Sequence, residues 1–233
     1  WYKPYNYTVG SYSAYTVCGD SDQLYSWGAN NHYELGDGTR ISTNSPVKAT
    51  GMTNIKYYST GYNMGAIKKD GTAWYWGSPV SNFPIKLLDS AYFLDAGAQM
   101  CSFVKQDGTV WSVGLNSNGI FGNDTFYTTF TSFPRKALGI NTAVRVAISR
   151  GNMAILLRDG TVWTTGINTN GGLGNGSNPA TKAKRPVKVP KLTKIIDIKG
   201  TATNLAALDS FGNVYTWGSS VCIGNGGMTN QDT

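Results

Sequence analysis

The chain has 233 residues, 40% of them hydrophobic, with 20 Lys and Arg against 13 Asp and Glu for a formal net charge of +7. That length can bury a substantial core, and no apolar run reaches the roughly 18 residues of a membrane-spanning helix. Three cysteines (Cys18, Cys101, Cys222) and a single histidine, His32, supply neither a metal-type cluster nor an even disulfide framework.

In chain order, the first clear pattern runs from Gln23 to Thr39. It holds a short alternating strand (Leu24 to Trp27), a stop at Gly28, an Asn-rich loop and a Leu35-Gly36-Asp37-Gly38 turn. Equivalent stops recur at Gly77, Gly114, Gly166 and Gly218. Self-similarity at roughly 40–50 residues is the mark of arrays and propellers, whose units bury their faces only by stacking on neighbours. The whole of 1–233 therefore reads as one repeat domain, with repeat ends near residues 28, 77, 114, 166 and 218.

Before four of the stops sits a turn: Asp70-Gly71, Asp107-Gly108, Asp159-Gly160 and Phe211-Gly212. Asp-Gly between two alternating apolar runs is a strong hairpin signal, because a tight turn needs positive φ. The recurring Asp70, Asp107 and Asp159 are thus turn residues in separate repeats rather than paired acid–base groups. After the stops come Leu35-Gly36, Phe121-Gly122, Leu173-Gly174 and Ile223-Gly224, then Pro46, Pro84, Pro134 and Pro186 as expected first residues of edge strands. Another alternating run precedes each hairpin, at Ile55, Phe93, Val144 and Ile196. The second repeat lacks the Asn loop, as a surface loop tolerates. The sum is about four short strands per repeat: an all-β chain of four-stranded antiparallel blades.

Together these motifs resemble the regulator-of-chromosome-condensation (RCC1-like) repeat family, in a divergent bacterial-type form. The resemblance rests on Trp27-Gly28-Ala29-Asn30, Leu35-Gly36-Asp37-Gly38 and weaker copies at Gly114-Leu115-Asn116 and Gly166-Ile167-Asn168. It implies a β-propeller, usually of seven blades. The chain is also similar to a secreted bacterial β-lactamase-inhibitor propeller. Where family repeats commonly carry a histidine, this chain has Ala14, Asn63, Met100, Asn152 and Asn204. About five repeats leave two arrangements open: a closed five-bladed ring, with residues 1–28 and 219–233 completing one blade, or an arc of a seven-bladed ring. The start at Trp1 suggests a processed or fragment terminus. Cys18 and Cys101 read as small core residues, with a Cys18–Cys222 staple as the alternative.

No catalytic, metal or cofactor residues are expected. His32 has no partner cluster, and the Gly171–Gly176 string lacks the lysine and helix of a phosphate loop. Trp74, Trp111 and Trp163 share one register position, and Trp27, Trp76 and Trp217 the position two later, as core packing between blades would require.

The expected function is a non-enzymatic protein-binding or structural module, exported or at the cell surface. The alternatives are an inhibitor-like propeller capping another enzyme and a regulator of a small GTPase. Candidate binding residues lie in the loops after each stop: Asn31, His32, Tyr33, Asn116, Asn118, Asn168 and Asn170. Phe126 and Tyr127 join them from Thr125 to Phe130, read as an aromatic insertion with no strand of its own; Tyr, Asn and Ser suit adaptable protein-binding loops. The alternative is that the Asn residues only supply turn geometry and that Phe126 and Phe130 pack back onto the blade. A basic segment (Lys182, Lys184, Arg185, Lys188, Lys191, Lys194) suggests either a polyanion patch or lysines blunting a sheet edge, with no aromatic residue interleaved.

Overall fold

The structure, a computed structural model, describes residues 7–9, 14–18, 22–97, 99–177 and 181–219. Blade 1 comprises β1 (Tyr7–Val9), β2 (Ala14–Cys18), β3 (Leu24–Gly28) and β4 (Thr43–Lys48). In blade 2 the strands are β5 (Ile55–Thr60), β6 (Met64–Lys68), β7 (Ala73–Gly77) and β8 (Ser81–Leu88). Blade 3 contains β9 (Ala91–Ala96), β10 (Met100–Lys105), β11 (Val110–Asn116) and β12 (Tyr127–Lys136). Blade 4 contains β13 (Ala143–Ile148), β14 (Asn152–Leu157), β15 (Val162–Ile167) and β16 (Lys182–Lys188). Blade 5 is described as β17 (Ile195–Gly200), β18 (Asn204–Asp209) and β19 (Val214–Gly218).

Each blade is an antiparallel meander in chain order. Successive first strands stand side by side: β1 with β5, β5 with β9, β9 with β13 and β13 with β17. The expected fourth strand of blade 5, and any Cys18–Cys222 bridge, fall outside the described residues. So does the turn around Gly224.

The five stop glycines share one conformation, with φ between 109° and 116°. At each of the first four the register with the fourth strand breaks, between Ser26 and Gly28 in blade 1 and at matching points in blades 2 to 4. A side chain would be strained there. The Asp-Gly hairpins carry a second repeated device. Asp70 Oδ1 accepts the Thr72 N–H at 2.9 Å and its hydroxyl at 2.7 Å, and the Trp74 indole donates to that same hydroxyl oxygen at 2.8 Å. Asp107–Thr109–Trp111 and Asp159–Thr161–Trp163 repeat it. These bonds hold the three carboxyls below the ordinary aspartate range.

The core lies between blades. Leu24, Ala73, Val110 and Val162 open the third strands and are completely buried against the next blade. The same position in blade 5, Val214, is 67% exposed, and no following sheet covers it among the described residues. Trp76 and Trp217 are fully buried against the preceding blade, as their register predicted. In blade 4 that position is Thr165, whose hydroxyl donates to the Ile120 carbonyl at 2.6 Å.

First strands stack in layers along the axis. Tyr57 and Phe93 rings lie 5.0 Å apart, the Arg145 guanidinium sits 5.1 Å from the Phe93 ring, and Arg145 pairs with Asp197 at 3.4 Å. One layer on, Asp95 accepts from the Ser59 hydroxyl at 3.1 Å and the Ile148 N–H at 2.8 Å, joining three blades. Burial lifts the Asp95 carboxyl to about 6 against these bonds.

Two expectations are corrected. Pro46, Pro84, Pro134 and Pro186 lie inside β4, β8, β12 and β16 rather than opening them. These strands lie at the edge of their sheets, so a missing N–H on the open side breaks no ladder. The Thr125–Phe130 segment is no strandless insertion, since Tyr127 to Phe130 begin β12 and Tyr127 pairs with Asn116.

Candidate functional site

Antiparallel meandering sends alternate connections to opposite ends of each blade. Connections from first to second strands (61–63, 97–99, 149–151, 201–203) therefore share an end with those from third to fourth strands. The latter are 29–42, 78–80, 117–126 and 168–181. The Asp-Gly turns occupy the other end.

The long loops are built on one latch. Asn30, Asn116 and Asn168 are completely buried. Their Oδ1 atoms accept the N–H of Leu35, Phe121 and Leu173 at 2.9–3.0 Å. Their amides donate to the carbonyls of Thr39, Thr125 and Ser177 at 2.7–2.9 Å. Asn116 and Asn168 thus supply loop geometry, the alternative weighed for them, because both ends of each amide are spent inside the loop. A related brace stands at the positions where family repeats carry histidine. Asn63 and Asn204 donate to Ser78 and Ser219 carbonyls at 3.1 and 2.8 Å, and Asn152 to that of Ile167.

Around these scaffolds the loop ends enclose a cavity of about 780 Å³, open to solvent. Blades 1 and 2 contribute His32, Tyr62 and Pro79; blades 3 and 4 contribute Gln99, Asn118, Phe130, Arg150, Ile167 and Asn170; blade 5 contributes Thr203. His32 stands edge-on to Tyr62 at 6.5 Å, and its carbonyl accepts the Ser78 N–H at 2.6 Å. Of the sequence candidates, His32, Asn118 and Asn170 meet here. Gln99, Arg150 and Thr203 were missed, since connections of two or three residues between strands read only as turns.

The remaining candidates sit elsewhere. Asn31 is exposed on the same loop, and Tyr33 is half-buried with the Arg40 guanidinium 4.6 Å from its ring. Tyr127 packs toward the core 6.3 Å from Phe121, with its hydroxyl accepting from Asn123 at 3.3 Å. Phe126 lies by the basic strand, with Lys182 and Lys184 ammoniums 5.6 and 5.3 Å from its ring. An aromatic residue thus does interleave with the lysines, but in space rather than in sequence. Arg185 and Lys184 also pair with Asp124 at 2.8 and 3.8 Å. Lys188 belongs to β16, whereas Lys191 and Lys194 follow it, with the Lys194 ammonium 4.7 Å from the Phe211 ring.

Residues 21–67 and 159–208 match the regulator of chromosome condensation (RCC1) repeat. Over those two stretches the chain carries RCC1 repeats. It is similar to mouse regulator of chromosome condensation, with 27% identity over 135 residues, covering 58% of this chain and 32% of that protein. Human E3 ubiquitin-protein ligase HERC2 is 21% identical over 225 residues, covering 91% of this chain but 4% of the ligase. The RCC1-repeat chain thus spans about a third or less of these relatives. Human WBSCR16 shares its fold at a TM-score of 0.80 and 19% identity, over 94% of this chain and 63% of that one. Prp20p from Saccharomyces cerevisiae does so at 0.59 and 15%, over 98% and 75%.

Proposed function

We propose that this RCC1-repeat protein is a non-enzymatic protein-binding module that engages its partner through the loop face around the cavity. The observation that carries this reading is convergence: loops from five blades meet at one mouth. Rigid blades presenting varied loops are a common way to build a recognition surface. Supporting it, yeast Prp20p is described with binding properties to Gsp1p and histones, and in another structure with Kap60. Regulation of a small GTPase and capping of another enzyme are both special cases of this use.

An extracellular or cell-surface setting belongs to the same proposal, supported by a composition low in charge (14%) and rich in Gly and Tyr. Antibody labelling of intact source cells tests that part. For the binding face, the protein is immobilised and its retained partners from source extract are identified by mass. A triple His32→Ala, Asn118→Ala, Asn170→Ala variant should lose a partner that a Gln106→Ala variant on the opposite face keeps. Loss with Gln106→Ala alone would overturn the assignment of face.

A further inference from the structure

We propose that the cavity binds an extended peptide through one acidic side chain or terminal carboxylate seated on Arg150. The inference rests on the loop-face reading above and adds the chemistry of the ligand. Among the described residues, Arg150 brings the only formal charge to the cavity lining, which holds no carboxylate. Among the described residues it enters none of the ion pairs. A guanidinium presents a planar fork of donors that matches a carboxylate in two parallel bonds.

The site is positioned rather than loose. The Arg150 backbone N–H donates to the Ala202 carbonyl in blade 5 at 3.1 Å, and Ser149 beside it is anchored to the Asn152 carbonyl at 2.8 Å. Gly151 follows, where a Cβ would lie 2.7 Å from Ile167 Cδ1, so this connection packs directly onto its own blade. Its tip is thereby held at the rim of the cavity.

The repeats separate scaffold from recognition. At the braced position blades 2, 4 and 5 keep the same residue: Asn63, Asn152 and Asn204. At the two positions just before it they differ: Gly61-Tyr62, Arg150-Gly151 and Ala202-Thr203. Fold alone does not need that variation. A cavity of about 780 Å³ lies within the roughly 300–1,000 Å³ of ligand sites. Amides of Gln99 and Asn118 beside the cation suit a peptide backbone, and Tyr62 and Phe130 suit its side chains. One guanidinium meets one carboxylate, whereas a polyanion calls for a row of cations.

A randomised displayed-peptide library selected on the wild-type protein tests this. Selected peptides should share an Asp, a Glu or a free C-terminus. Each should lose about tenfold or more in affinity on Arg150→Gln, or when its own acid is replaced by the amide. Arg185→Gln should leave them unchanged, and the melting temperature of Arg150→Gln should match wild type. Peptides without a shared acid, or indifferent to Arg150→Gln, overturn the inference. If those peptides still depend on His32 and Asn118, the loop-face reading survives; if they depend on no cavity residue, it falls too. Failure to enrich any peptide also overturns the inference. Arg150-dependent binding of heparin without acidic-peptide preference would assign the site to a polyanion instead.

Discussion

The Trp76 indole of blade 2 donates to the Glu34 carbonyl of blade 1 at 3.0 Å, directly beneath the Leu35-Gly36 turn. This contact explains why the turn residue is glycine. Gly36 has φ +69°, and a Cβ there would lie 2.7 Å from Trp76 Nε1, inside a rigid and fully buried ring. Gly51 has nearly the same φ, +70°, with nothing within 4 Å. Gly51→Ala should therefore cost about 1–2 kcal/mol for backbone strain alone. Gly36→Ala should cost about 2–4 kcal/mol, because overpacking adds to the strain. Chemical denaturation of the two variants measures the difference, and equal costs would show that the turn does not press on Trp76.

The two loop asparagines of blade 3 should separate cleanly. Asn116→Ala strands the Phe121 N–H and the Thr125 carbonyl, both inside the loop, and should destabilise by about 2–4 kcal/mol. Asn118→Ala, at the cavity rim, should shift stability by no more than about 0.5 kcal/mol. Thermal melts decide. A silent Asn116→Ala would return that residue to the surface candidates.

What the sequence made legible follows from this contrast. Repeat spacing, Asp-Gly turns and tryptophan register depend on neighbours along the chain, so the blades and their order could be read directly. Asn116 and Asn168 stayed ambiguous because an amide that supplies a loop's internal bonds has the same composition signature as one offered to a partner. Arg150 was passed over because its meaning comes from lining one cavity with Tyr62 and Thr203, each in another blade. The Phe126 ring likewise reaches Lys182 across more than fifty residues of chain.

Asp95 should give the protein an unusual acid response. Its carboxyl, lifted to about 6, faces Ser59, Ile148 and the more distant Lys199 cation. Because the folded form holds its proton more tightly than the unfolded chain, with an ordinary value near 3.9, its contribution is fully present below pH ~4 and lost as pH rises through ~6. The difference is on the order of 2–3 kcal/mol. Asp70, Asp107 and Asp159, held low, act oppositely and weaken the fold as pH falls below about 4. Urea midpoints should thus peak near pH 4–5. In Asp95→Asn the decline between about 4 and 6.5 should vanish while the acid limb stays. An unchanged decline would place its origin elsewhere.

The last prediction concerns the basic strand. β16 is the edge of blade 4, and its lysines rest partly on Phe126, which is 45% exposed. Each such cation–ring contact at the surface contributes about 0.5–1 kcal/mol. Their larger effect is to keep charge along an edge that, apart from the Lys184 carbonyl held by the Asp124 N–H at 2.8 Å, would otherwise template another strand. Lys182→Val with Lys184→Val removes both, exposing Phe126 next to a β-branched edge. The double variant should melt within a few degrees of wild type but self-associate with concentration, as sedimentation velocity would reveal. If instead it stays monomeric and elutes from immobilised heparin at clearly lower salt than wild type, the strip serves a polyanion, and protection of the edge is not its role.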